Sequence, residues 1–139
     1  MEHLMAKIDG AAAVLGGLCG WFFGGFDGFF YALIAFTTID YISGVMAAWE
    51  RKELSSAVGF RGIRRKVMIF ALVGIAHVID AEFFGHGDVL RDAVAFFYLA
   101  NEGLSILENA VEIGVPAPEF LKEKLMQIHG GAGKEKAKD

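Results

Sequence analysis

The chain reads as an all-α integral membrane protein of about four transmembrane helices, three being the alternative count, with a short amphipathic helix near the C-terminus. Two observations lead there. The 139 residues are 55% hydrophobic with a mean hydropathy of +0.45, above the roughly 45–50% apolar content of soluble domains. The apolar residues also gather into long runs separated by short polar stretches, so residues 1–139 read as a single membrane domain with no length left for a soluble one. A net charge of −4, with most basic residues in one block, does not describe a polyanion-binding surface, and no nucleic-acid partner is expected. The single cysteine, Cys19, cannot form an internal disulfide and reads as a small packing residue.

The first candidate span, about 11–26, is short and glycine-rich against the ~20 apolar residues a bilayer demands. It is read as crossing; an interfacial helix and a tight hairpin with the second span are the alternatives. The preceding MEHLMAKIDG carries only Lys7 as a basic side chain, and Leu18 occupies the position before Cys19 where lipoprotein-type cleavage wants a small residue, so no removed leader is expected. Gly16, Gly20, Gly24 and Gly28 recur every four residues. On a continuous helix they make a flat packing seam; in GWFFGGFDGFF they equally suit an interfacial bend.

The second span, about 28–49, and the third, about 67–84, are apolar except for one intramembrane acid each, Asp40 and Asp80. An unpartnered aspartate at a helix centre costs about 2.5–3.5 kcal/mol on insertion scales, so each needs a partner or water. Thr37, Asp40, Gly44 and Ala47 advance by threes and fours, a small and polar stripe around the acid. His77 stands one turn from Asp80 at hydrogen-bonding spacing; a proton relay is the functional reading and a hydrogen-bonded packing histidine the plainer one. Asp80 also lies close to the polar turn GHGD.

The fourth span, about 89–113, is long enough to cross but amphipathic. Tyr98, Asn101, Glu102, Ser105, Glu108, Asn109 and Glu112 share one face, opposite Phe96, Leu99, Leu104, Leu107 and Val111. Such a stripe must meet protein or water. Arg51 or Arg91 neutralising some acids within the subunit, and several copies turning their stripes together around water, are both open.

Orientation follows from the connection at 50–66, which holds Arg51, Lys52, Arg61, Arg64, Arg65 and Lys66, whereas the other turns hold no Lys or Arg. The basic loop is therefore expected in the cytoplasm, with both termini on the same side for four spans. Lys7 and the lysines of the tail 114–139 (Lys122, Lys124, Lys134, Lys136, Lys138) agree. After Pro116 and Pro118, Leu121, Leu125 and Ile128 fall at helical spacing, an amphipathic helix suited to the inner membrane surface, and the closing GGAGKEKAKD is expected to be disordered. No metal-ligand spacing, nucleophile elbow or phosphate loop is present, and Ser105 with Glu108 lacks a base, so neither enzymatic activity nor a cofactor is expected.

Three stretches carry a resemblance: DYISGVMAA at 40–48, LSSAVGFRGIRRK at 54–66, and LRDAVAFFYLANEGLSILENAVEIGVPAPEFLKEKL at 90–125. Over about 38–125 the chain resembles the toxin-secretion and phage-lysis holin family of Gram-positive bacteria and their phages. The resemblance implies a small multi-pass protein of the host cytoplasmic membrane, in contact with its lipids, that forms homo-oligomeric pores or lesions. Through these an endolysin or exported toxin passes without stable direct binding, and the host cell lyses. Its motif falls on Asp40, Gly44, Ser55, Gly59, Gly62, Lys66, Asn101, Glu102, Ser105, Glu108 and Asn109. The polar stripe itself suggests a mechanism in which copies accumulate with their acids shielded, and opening turns the fourth-helix stripe toward water. A small proton- or ion-coupled transporter or channel is the alternative; a transporter of that kind calls for inverted halves with interrupted helices, which the two halves here do not resemble.

Overall fold

The structure is a computed structural model and describes residues 1–85 and 87–131. The expectation for GGAGKEKAKD from residue 132 onward, and Lys134, Lys136 and Lys138 with it, lie outside the described residues. The described chain is all-α: α1 (Glu2–Phe23), α2 (Gly28–Glu50), α3 (Ser56–Ile79), a π-helical turn (Asp80–Phe84), α4 (Val89–Glu112) and α5 (Glu119–Gly131). Helices α1, α2 and α3 with its π turn are long and apolar enough to cross a membrane. At 24 residues α4 is also long enough, about 36 Å at 1.5 Å per residue, but its charges set it apart from those three.

Helix α4 is the centre of the bundle, packing most extensively on α2 and then on α3 and α5. Leu33, Ile69, Val73 and Ala95 form the buried core. Around it the facing positions are small, with Ala47, Ala48, Ala76 and Ala100 also buried, which lets these helices approach closely where lipid supplies no hydrophobic drive between them.

The boundaries differ from the sequence expectation in four places. Helix α1 starts at Glu2 rather than near 11, because Leu4, Met5 and Ile8 continue the helical pattern and nothing breaks it. It does not run on into α2 along a glycine seam. Gly24 caps α1 with φ 78°, a left-handed conformation favouring glycine, and its N–H bonds to the Gly20 carbonyl. Gly28 then belongs to the first turn of α2, while a Cβ on Gly16, Gly20 or Gly28 would meet nothing within 4 Å. The bend reading therefore describes Gly24.

The basic stretch 50–66 is mostly helix, not loop. Only residues 51–55 connect α2 to α3, and Ser55 caps α3 by accepting the Val58 N–H at 3.2 Å. Arg61, Arg64, Arg65 and Lys66 thus ride on the first three turns of α3, whereas Arg51 and Lys52 stay in the connection. The glycines that made this stretch look like loop give α3 a flat face: a Cβ on Gly62 would come within 3.2 Å of the Tyr41 ring. Finally, α5 runs back along α4 instead of lying free on the membrane surface, with Leu125 against Gly103, where a Cβ would approach Leu125 Cδ1 to 3.0 Å.

Helix α1 joins the bundle only at its end. Phe23 packs its ring on Phe30 at 4.8 Å, and Phe30 on Phe70 at 5.7 Å between centroids. Phe22 covers Gly74 so closely that a Cβ there would lie 2.0 Å from the ring. Residues 1–19, Cys19 included, are exposed.

The Leu125 contact carries a prediction. In a Cys19→Ser background, Gly103→Leu leaves no room for Leu125 and frees α5, so an Ile128→Cys reporter on the same helix should react several-fold faster with a maleimide than in the Gly103 parent. An unchanged rate would mean that α5 is not held by this contact.

Candidate functional site

The helical register brings three charges from three helices together. On α2, the buried positions Phe30, Leu33, Thr37, Asp40 and Ala47 step by threes, fours and one seven, so Asp40 faces the core. On α3 the same face runs from Ile69 through Val73 to Ala76, and Lys66 sits one turn before it. On α4, Glu102 lies beside Gly103 and is 1% exposed. The Lys66 ammonium donates to Asp40 Oδ2 and to Glu102 Oε2, tying α2, α3 and α4 at one point.

Asn109 completes this centre, donating from Nδ2 to Asp40 Oδ1 at 3.1 Å and to Ser43 Oγ at 3.0 Å. Gly44 faces the same amide, with room for no more than a methyl at 3.6 Å. Thr37 turns its hydroxyl back to the Leu33 carbonyl at 2.8 Å, so it satisfies itself within α2. Beside the centre lies a crevice of about 230 Å³ lined by Tyr41, Arg61, Arg65, Ser105 and Asn109 among others, a polar approach to the buried charges. One ammonium faces two carboxylates, so the cluster is held by close pairing without being neutral when all three groups are charged.

The fourth-span stripe is therefore divided. Glu102 and Asn109 point into the bundle and Ser105 lines the crevice. Tyr98 and Asn101 line a groove between α3 and α4. Glu112 pairs with Arg51 at the exposed end, and Glu108 is exposed with no ion pair among the described residues. Of the two cations considered for neutralising the stripe, Arg51 takes one acid at its rim; Lys66, read from sequence as a loop residue, holds the buried one.

A second ionic centre closes the opposite end. Arg91, 0% exposed, grips both oxygens of Asp27, at 2.7 and 3.2 Å, and donates to the Gly25 carbonyl at 3.1 Å. Asp27 in turn caps α2 by accepting the Phe30 N–H at 3.0 Å. Asp80 is not an isolated intramembrane acid: it accepts the N–H groups of Leu90 and Arg91 at 3.1 and 2.8 Å, capping α4 from the end of α3. The π turn carries this cap. His77 bonds to Asp88 at 3.1 Å rather than to Asp80. Asp27 was legible as a cap, an aspartate directly before an apolar run; its pairing with Arg91, 64 residues away, had no local signal.

A model of the bacteriophage holin family matches residues 17–130. An uncharacterized protein of Listeria monocytogenes is 45% identical over 123 residues, covering 88% of this chain and 87% of its own. An uncharacterized 14.9 kDa protein of Clostridium perfringens is 38% identical over 129 residues, covering 93% and 98%. A probable holin of Bacillus phage phi105 is 39% identical over 107 residues, covering 77% and 78%. No solved structure matches the chain.

Two outcomes follow from the ionic centres. Lys66→Met strands two carboxylates between helices and should lower stability in detergent by about 3–5 kcal/mol, whereas Asp40→Asn/Lys66→Met/Glu102→Gln together should recover most of it, as read by thermal unfolding. The hydrogen bond from Arg91 holds Asp27 below its ordinary carboxylate value of 3.8. A depressed value contributes stability above pH 3.8 and loses it as acid titrates the folded form. Arg91→Gln should therefore flatten the acid limb of a stability profile below that pH; an unchanged limb would assign the acid sensitivity elsewhere.

Proposed function

The chain belongs to the bacteriophage holin family, and we propose that its copies assemble in the host cytoplasmic membrane into pores or lesions that release an endolysin or a toxin, ending in lysis of the host cell. The observation that carries this reading is the Asp40–Lys66–Glu102 centre. A polar helix can accumulate in a membrane without harm while one lysine keeps its acids inside the subunit. It becomes pore-lining when α4 turns and water replaces the lysine. The crevice beside the centre is the entry for that water, and Ser105 and Asn109 lie on both the closed and the opened surface.

Assembly into homo-oligomers is supported by α1. Residues 1–19 are exposed in the subunit, so the apolar surface of α1, including the open positions Gly16 and Gly20, faces lipid or a neighbouring copy. Both termini are placed in the cytoplasm on this reading. The basic start of α3 and the Arg51–Glu112 pair mark the end of the bundle that stays inside. Arg91 is a single basic residue at the other end, against Arg51, Lys52, Arg61, Arg64, Arg65 and Lys66 at this one. The polar stripe, the intramembrane acids and the basic residues act as gate and orientation elements, and no catalytic group is involved.

The test is inducible expression with two readouts, membrane potential and release of a folded co-expressed cell-wall hydrolase. Release of the hydrolase is expected; loss of potential alone would favour a small ion-conducting pore or transporter. Glu102→Gln leaves Lys66 facing Asp40 alone, a neutral pair, and should delay the onset of lysis at equal membrane abundance. Glu108→Leu should likewise shift the onset. Normal timing in both variants would remove the stripe from the mechanism.

A further inference from the structure

Arg61, Arg64 and Arg65 are exposed on one flank of α3, and none has a carboxylate partner among the described residues. Arg64 lies over the Phe60 ring at 5.3 Å. All three border the head of a groove of about 370 Å³ between α3 and α4, where Tyr98 and Asn101 add polar atoms from the facing helix. Below the arginines the lining turns apolar through Met68, Ile69 and Leu72. A second groove of about 420 Å³ shares Leu72 and Tyr98 with the first and continues past Ile75 to Ile79 and Leu90. The two are one furrow along the α3–α4 seam, cationic at one end and apolar beyond.

We propose that this furrow is a binding site for an anionic glycerophospholipid, its phosphodiester headgroup held by Arg61, Arg64 and Arg65 and an acyl chain lying along Leu72 and Ile75. The dimensions fit. One leaflet of hydrocarbon is about 15 Å deep, which is ten residues of helix, the distance from Arg65 to Ile75. Guanidinium groups suit phosphate oxygens geometrically, and basic pockets between transmembrane helices are a recurrent way to hold anionic headgroups. Membrane orientation requires positive charge near a span end but not at the mouth of a furrow, so the positions of these arginines ask for more than topology. A second copy in the same membrane orientation brings its own three arginines to the same depth, which charge repulsion disfavours as the occupant. A lipid here wedges between α3 and α4, the two helices joined by Lys66 and Glu102, and so acts beside the proposed gate without depending on it.

The test uses the full chain in neutral detergent, with thermal shift and native mass spectrometry as readouts. Phosphatidylglycerol should raise the unfolding temperature and stay bound, while phosphatidylcholine should do neither and inorganic phosphate should not displace it. Arg61→Gln/Arg64→Gln/Arg65→Gln should weaken phosphatidylglycerol binding about a hundredfold, each basic side chain contributing about fivefold. Leu72→Trp fills the furrow while keeping the arginines and should also abolish retention; circular dichroism confirms that each variant is folded. Equal retention of phosphatidylcholine, displacement by inorganic phosphate, undiminished binding by folded Leu72→Trp, or a dimer that closes the furrow and excludes lipid would each overturn the proposal.

Discussion

Charges placed between apolar helices have no water to solvate them, and one lysine answers for two of them here. Lys66 reaches from α3 to Asp40 on α2 and Glu102 on α4, and much of the arrangement follows from that reach. The three helices must come close enough for side chains to bridge them, so the faces they present are small: Gly44 against Asn109, and Gly59 and Gly62 under Tyr41. The polar groups that remain are satisfied nearby, Asn109 on Asp40 and Ser43, and Thr37 on its own helix. Of the residues on which the resemblance falls, Asp40, Gly44, Lys66, Glu102 and Asn109 meet at this point, whereas Glu108 is exposed.

The two ends of the bundle differ in kind. At the Arg91 end one guanidinium gathers the end of α1, the cap of α2 and the start of α4, with Asp80 adding the end of α3. Asp27 and Arg91 pair closely there, Asp80 is held by backbone amides, and Phe23, Phe30 and Phe70 pack on one another nearby. At the basic end the buried acids outnumber the ammonium that holds them, a polar crevice leads inward, and the helix-joining pair Arg51–Glu112 is exposed and so contributes little.

Much of this was legible in the sequence, and the misses have physical causes. The α2 stripe through Asp40, Gly44 and Ala47 follows directly from helical periodicity, and the need for a partner to Asp40 follows from the cost of an intramembrane acid. The partner itself was not identified, because Lys66 closes a run of basic and glycine residues that resembles loop. Yet 66, 69, 73 and 76 carry the same spacing that identifies the buried face of α3. His77 and Asp80 are neighbours on a helix, but the turn that follows offers Asp88 to one and the bare amides of α4 to the other. The glycine repeat was periodic without being one helix, because Gly24 adopts a left-handed conformation that ends α1.

By itself the sequence determined the class of the protein, the existence of its long helices and which residues could not face lipid, since composition and local periodicity are properties of short stretches of chain. Which charge meets which was decided only by the tertiary structure. Lys66 and Glu102 are 36 residues apart, Arg91 and Asp27 64 residues apart. Pairing over such separations depends on helix rotation and depth in the bundle, and these are set by the packing of small residues across several helices at once.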